Sequence, residues 1–227
     1  MSNKNKYRVS EPDKYNGSKE SKKRLRYLFY ITKLNIKDFL NIGNSYVKYL
    51  TDKLNQIQED KKVSKIDNYD IVFERIFKIT EVDNVGNLTR LLFNVLVSFD
   101  AFNSYISSEL KSLSHNELKE FIQALQPLMV IHIPNCSNTI DLPFFISEVR
   151  NTFVHNGKYI AQFSLLPSDD NKHYVPGLSI TLKNVFNKEF LDENNLNDDD
   201  MIDTIETFNI IDKNINQLET ILDNVLE

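Results

Sequence analysis

Apolar residues recur at intervals of three and four along most of this chain, a pattern typical of amphipathic helices. The first helix is predicted to begin between Ser18 and Ser21, and Gly43 is either a break in it or a weak point within one long helix. Shorter helices are predicted after Asp67 and after Ser114. The strongest periodicity, over what we interpret as the central core helix, places apolar residues at Leu88, Leu91, Leu92, Val95, Leu96, Phe99, Phe102 and Ile106.

The pattern changes in the second half of the chain. The segment 128–133, which lies between two prolines, is either a helix end or a short strand. A helix is then predicted from about Asp141, a suitable N-cap, to His155, because Gly157 is the residue expected just past a helix end. Alternating apolar residues around a polar turn predict a β-hairpin over about 159–185.

The three-to-four period returns in a final helix over about 198–226. Residues 1–17 lack apolar periodicity and are predicted to be a mobile tail. Residues 18–227 contain no repeat and no Pro- or Gly-rich linker, which favours one domain. The prediction is therefore a mainly all-α fold, a helical bundle with a small β-hairpin inserted after the helix that ends at His155.

The amino-acid composition agrees with this predicted fold and also indicates the cellular compartment. The chain has 227 residues with only 5 Gly and 6 Pro, which favours long helices over many short strands. The single Cys136 excludes an intrachain disulfide and fits a reducing compartment. No stretch approaches the ~20 apolar residues of a transmembrane helix, and no signal peptide is evident. We therefore expect a cytoplasmic protein without a membrane partner.

Charge is distributed unevenly along the chain. The net charge is −5, yet residues 1–40 carry eleven Lys or Arg against four acids, and residues 189–227 carry twelve acids against one Lys. This asymmetry indicates either a charged tail and a solvated acidic helix, or a basic face for a polyanion. On the second interpretation, the candidate substrate-binding residues in the basic segment are Lys22, Lys23, Arg24 and Arg26.

The candidate catalytic residues lie within six positions at the end of a predicted hydrophobic helix, from Arg150 to His155. Arginine presents a planar fork of donors that matches phosphate oxygens, and histidine exchanges protons near neutral pH. The pair predicts metal-independent RNA cleavage, in which His155 acts as general base on a ribose 2′-hydroxyl or as general acid on the leaving 5′-oxygen. Arg150 stabilises phosphoryl charge, and the products are a 2′,3′-cyclic phosphate and a 5′-hydroxyl.

The spacing of these two residues also predicts an assembly. Arg150 and His155 are five residues apart, so they point about 140° away from each other on an ideal helix. One helix alone therefore does not assemble a compact site. Two copies packed about a twofold axis bring the Arg and His of each chain into a shared cleft, so we expect a homodimer with a composite active site.

The motif Arg150-Asn151-Thr152-Phe153-Val154-His155 resembles the Arg-Asn-x-x-x-His signature of the HEPN superfamily. The resemblance implies a dimerising helical bundle and an endoribonuclease of a toxin–antitoxin, abortive-infection or antiviral defence system. It also implies catalytic roles for Arg150, Asn151 and His155, and an antitoxin or regulatory partner. In one branch a tyrosine two residues after the histidine is the target of the antitoxin; Gly157 stands there instead, which argues against that regulation.

Other interpretations of the same residues stay open. In a purely structural role, Arg150 pairs with an acid and His155 caps the helix C-terminus, where a cation is favoured. In a non-catalytic helical binding module, the same Arg and His hold an interface or bind a nucleotide in the cleft. Lys158 and Tyr159, directly after the motif, are further candidate substrate contacts. The sequence has no Cys pair, no His-x-x-x-His and no phosphate-binding Gly loop, so we expect neither a metal nor a cofactor.

Overall fold

The computed structural model describes residues 19–61, 82–109, 123, 125, 129–132, 139–156, 161–167 and 174–226. Several sequence predictions fall outside these residues and stay predictions: the tail 1–17, the helices after Asp67 and Ser114, and the roles of Gly157, Lys158 and Tyr159. The described helices are α1 (Lys19–Lys61), α2 (Val82–Glu109), α3 (Leu142–Asn156), α4 (Lys188–Glu193) and α5 (Thr204–Leu226). The described strands are β1 (Val130–His132), β2 (Thr139–Asp141), β3 (Ala161–Pro167), β4 (Tyr174–Thr181) and β5 (Met201–Asp203).

Helix α1 is continuous through Gly43, so the weak point does not become a break. Gly43 is buried, and a Cβ there would stand 3.2 Å from both Cγ1 and Cδ1 of Ile205 on α5. That contact is tighter than ordinary van der Waals packing. The glycine therefore lets α5 approach α1 closely, and the packing of the two helices offsets the low helix propensity of the residue.

Helices α1, α2 and α5 enclose the hydrophobic core, with α1 in contact with both of the others. The ring of Phe39 on α1 meets Phe208 of α5 edge to face at 5.6 Å, and Phe29 packs against Phe102 of α2 at 5.5 Å. The buried hydroxyl of Thr32 donates to the carbonyl oxygen of Ser98 at 3.0 Å and fixes α1 against α2. Helix α2 also contacts α3 and so lies between α1 and α3.

The segment 128–133 contains a short strand, β1, which pairs antiparallel with β2. Strand β2 leads directly into α3, and the amide of Leu142 donates to the carbonyl oxygen of Met129 at 2.8 Å. The Oδ1 atom of Asp141 accepts a hydrogen bond of 2.9 Å from the amide of Phe144, as the N-cap prediction requires. The helix that carries the motif therefore begins where the sequence predicts.

The predicted hairpin is formed by β3 and β4, but a third strand extends it into a sheet of order β3-β4-β5. The prediction that the final helix begins near residue 198 is wrong, since α5 begins at Thr204. Ile202 is buried opposite Ile180 of β4, and this pairing extends the backbone before the helix can start. Asp203 then caps α5 by accepting from the amides of Ile205 and Glu206, while burial raises the pKa of its carboxyl group.

The described residues form a mainly helical fold with small antiparallel strand pairs, as predicted. Among these residues, no helix is both long and apolar enough to cross a membrane. The hydrophobic core runs from the α1–α2–α5 packing into the buried face of α3. Helix α3 is thus held on one side and presents its other side at the surface.

Candidate functional site

Helix α3 carries the motif along the boundary between core and surface. Its buried face consists of Leu142, Phe145, Ile146 and Val149, and Thr152 continues that face into the motif. These positions follow the three-to-four spacing of an amphipathic helix, which fixes the rotation of α3 about its axis. Arg150 consequently lies at the edge next to α2, and His155 lies in the last turn.

Arg150 is held by two hydrogen bonds that the guanidinium donates. Its Nη1 atom lies 2.8 Å from Oδ2 of Asp100 on α2, and its Nη2 atom lies 2.7 Å from Oδ1 of Asn151. The Arg150 side chain is 35% exposed and the Asp100 side chain 17%. The arginine is therefore fixed in position without being removed from solvent.

The hydrogen bonds leave part of the guanidinium free to bind an anion. An arginine carries five N–H donors, two on each terminal nitrogen and one on Nε. Each terminal nitrogen of Arg150 uses one donor, and Nε is buried without a hydrogen-bond partner among the described residues. Within the described residues one N–H on Nη1 and one on Nη2 remain, and guanidinium N–H groups are donors that phosphate oxygens accept.

His155 is exposed and lies on a different side of α3 from Arg150. Within the described residues no contact joins the two side chains, so one chain does not bring them together. Asn151 stands between them: it accepts from Arg150, and it precedes His155 by four residues, one helical turn. The structure thus links Arg150 to Asn151 and leaves His155 exposed on another side of α3, in its last turn.

Apolar side chains surround this arrangement on the line where α2 and α3 meet. Phe93 of α2 packs against Phe153 of α3 with ring centroids 4.9 Å apart. Val97 lies one turn from both Phe93 and Asp100, and Val154 follows Phe153; both valines are exposed. We call these four residues, Phe93, Val97, Phe153 and Val154, the α2–α3 seam. An exposed apolar seam beside a fixed cation is typical of a contact surface.

The predicted substrate-binding cations make different contacts in the structure. Lys23 is exposed, whereas the guanidinium of Arg24 lies over the ring of Tyr105 at 5.2 Å. Arg26 forms an ion pair with Asp223 of α5, with Nε and Oδ1 3.6 Å apart. The backbone of Lys22 belongs to α1, but its side chain lies outside the described set, as do Lys158 and Tyr159. The described side chains of the predicted cluster therefore have different surroundings, and their role in substrate binding stays a prediction.

Asp100 is the residue of the site that the sequence prediction missed. It lies fifty positions before Arg150, so no local motif connects them. A signal was present nevertheless, because Asp100 is the only acid between residues 84 and 108 of the central apolar helix. A single carboxylate in such a segment needs a partner, and Arg150 is that partner.

The donor set of the site contains one carboxylate, one amide, one guanidinium and one imidazole, which suits an anion better than a metal. Among the residues that the structure describes, no three His, Cys, Asp or Glu side chains lie close enough together to hold a metal ion. Comparisons of the chain with protein-family models, with curated proteins and with solved structures find no match.

Proposed function

We propose that this protein is a metal-independent endoribonuclease that cleaves RNA by attack of a ribose 2′-hydroxyl. The observation that carries the proposal is Arg150, which Asp100 and Asn151 hold in place and which, among the described residues, keeps one N–H without a partner on each terminal nitrogen. A guanidinium fixed before substrate arrives stabilises phosphoryl charge without reorganising in the transition state. The exposed His155 on the same helix supplies the proton transfer that the reaction needs.

The proposed reaction is a transesterification. One His155 takes the proton from the 2′-hydroxyl, the O2′–P bond forms, and the P–O5′ bond breaks. The other His155 of a twofold dimer gives a proton to the leaving 5′-oxygen, and Arg150 binds the non-bridging oxygens. Asn151 orients the guanidinium through its Oδ1. The products are a 2′,3′-cyclic phosphate and a 5′-hydroxyl.

A homodimer completes this site, because one chain places Arg150 and His155 on different faces of α3. The α2–α3 seam is the surface through which we propose that the two copies meet. Burial of its exposed valines in the interface contributes favourable free energy to dimerisation. Because the seam lies beside Arg150, dimerisation there brings the two motif helices near the twofold axis.

Introducing a charge on the seam is expected to produce a monomer. Val97→Asp and Val154→Asp should each shift the protein from dimer to monomer, since an aspartate at an apolar interface loses its hydration without a partner. Analytical ultracentrifugation at several protein concentrations measures this shift. Ile210→Asp, at an exposed apolar position on α5, is the matched control and should leave the dimer intact. A wild-type protein that is monomeric and fully active contradicts the composite site.

The reaction type is tested by changing the substrate and removing metals. Cleavage should persist in excess EDTA, and a single 2′-deoxy substitution at the scissile nucleotide should abolish it, because the nucleophile is then missing. End-group analysis of the products should find a 2′,3′-cyclic phosphate. Cleavage that requires Mg²⁺ or Mn²⁺, or that proceeds on DNA, contradicts the proposal.

The second candidate is a non-catalytic helical binding module. It is favoured by one observation, the ion pair between Arg150 and Asp100, which gives the charge of the arginine a counter-ion within the fold. RNA binding without any product in the assays above supports this candidate. A cytoplasmic role in toxin–antitoxin or antiviral defence, with an antitoxin or regulatory partner, belongs to the first candidate and rests on the likeness of the motif to the HEPN signature.

A further inference from the structure

Helix α1 presents an exposed face of aromatic and basic side chains for much of its length. Tyr27 is 63% exposed and Tyr30 54%, although tyrosine rings are usually half-buried or more. Leu34 and three exposed lysines share this face, because successive positions are separated by three, four or eleven residues, close to whole helical turns. We call it the α1 face: Lys23, Tyr27, Tyr30, Leu34, Lys37 and Lys48.

The cations of the α1 face differ from those on the flanks of the same helix in their interaction partners. On the flank toward α5, Lys33 pairs with Glu219 at 2.6 Å and Arg26 pairs with Asp223. On the flank toward α2, Arg24 lies over Tyr105. Within the described residues, no carboxylate pairs with the three lysines of the α1 face. Its positive charge is therefore directed to solvent.

The extent of the face suits an extended ligand. From Lys23 to Lys48 the helix rises about 38 Å. Asp52 lies one turn beyond Lys48 on the same side of the helix and ends the face, and Asp38 stands beside Lys37. Two acids of α5, Glu219 and Asp223, make their described ion pairs with the flank and not with this face.

Charge and composition favour a polyanion with aromatic groups over other occupants. A second copy packed on this face in parallel would place lysine against lysine, and Leu34 is the only aliphatic residue available to a helix–helix contact there. A membrane-binding helix carries a broad apolar face, which the opposite side of α1 has already buried in the core. Tyrosine rings stack on bases of any sequence, and lysines between them neutralise phosphates.

We propose that the α1 face binds single-stranded RNA, with bases stacked on Tyr27 and Tyr30 and the backbone held by Lys23, Lys37 and Lys48. The choice of RNA as the polyanion rests on the proposed function. The face lies on a different helix from the cleavage motif, with α2 between them. It is therefore a binding surface separate from the cleavage motif.

Binding is tested with the full chain carrying His155→Ala, so that the RNA stays intact. A fluorescein-labelled oligouridylate serves as the probe, and anisotropy gives the dissociation constant. Tyr27→Ala and Tyr30→Ala should each weaken binding about 5- to 10-fold, the lower part of the range for a stacked ring. Tyr27→Phe and Tyr30→Phe keep the ring and should bind like the parent. Alanine at an exposed helix position preserves the helix.

The lysines are tested by the salt dependence of binding. For a single strand, each phosphate contact adds about 0.7 to the slope of log K against log salt. Lys23→Gln, Lys37→Gln and Lys48→Gln should each reduce the magnitude of the slope by about that amount. Lys213→Gln, the same change at an exposed position of α5, is the matched control and should not alter it. Unchanged slopes and affinities in the α1 variants overturn the proposal.

Two further arms separate this surface from other occupants and from the cleavage reaction. Anionic vesicles that displace the probe, or a loss of dimer in the tyrosine variants, overturn RNA as the occupant. If wild-type protein cleaves RNA but the α1 variants bind and cleave normally, the α1 face fails and the nuclease proposal stands. If no preparation cleaves RNA yet the tyrosine and lysine variants lose binding as expected, the nuclease proposal fails and the α1 face stands.

Discussion

Replacing His155 with alanine is expected to reduce RNA cleavage by about 10²- to 10⁴-fold, the usual contribution of a positioned acid or base. His155 is exposed at the end of α3, so the substitution removes the imidazole without opening a cavity in the described core. The circular dichroism spectrum and the thermal midpoint should therefore match those of the wild type. Single-turnover cleavage of a labelled RNA measures the effect.

A second histidine provides the control for this substitution. His173, in the polar segment between β3 and β4, belongs to no part of the proposed site, and His173→Ala should cleave at the wild-type rate. Both variants lose one imidazole group, so a difference between their cleavage rates is due to the position of His155. Undiminished cleavage by purified His155→Ala protein would refute the catalytic assignment and leave the binding module as the remaining candidate.

The sequence predicts those parts of the fold that depend on local signals. The start of α3 follows from Asp141, whose side chain caps the first turn, and the hairpin follows from alternation over two strands of seven and eight residues. Strand β5 has only three residues, too few to show a period. Its three preceding acids, residues 198–200, look like a favourable first helical turn, which is why the start of α5 was predicted too early.

Contacts between distant segments account for what the sequence alone leaves open. Gly43 is compatible with a break or a continuous helix until the position of Ile205 is known. The spacing from Arg150 to His155 predicts their separation on α3, because that depends on helix geometry alone. The identity of Asp100 as the partner of Arg150 depends on how α2 packs against α3, and no local pattern encodes that register.

Arg150→Ala is expected to reduce RNA cleavage by about 10²- to 10³-fold, the effect of removing one donor that stabilises an oxyanion. Arg150→Lys should restore little activity, because one ammonium group cannot bond Asp100 and Asn151 and still present two donors to a phosphate. Asp100→Asn keeps the size of the side chain but weakens the hold on the guanidinium. Asp100 is a positioning residue, so this variant should lower kcat more than it raises KM.

A double variant separates catalysis from structure at the same pair. Asp100→Asn alone leaves a half-buried charge without its counter-ion and should cost on the order of 1 kcal/mol of stability, given the exposure of the pair. Arg150→Met combined with Asp100→Leu replaces the whole pair with apolar side chains, which commonly restores stability. If the pair only holds α2 against α3, the double variant recovers both the unfolding midpoint and RNA cleavage. If Arg150 acts on the phosphate, as we propose, the midpoint recovers and cleavage does not.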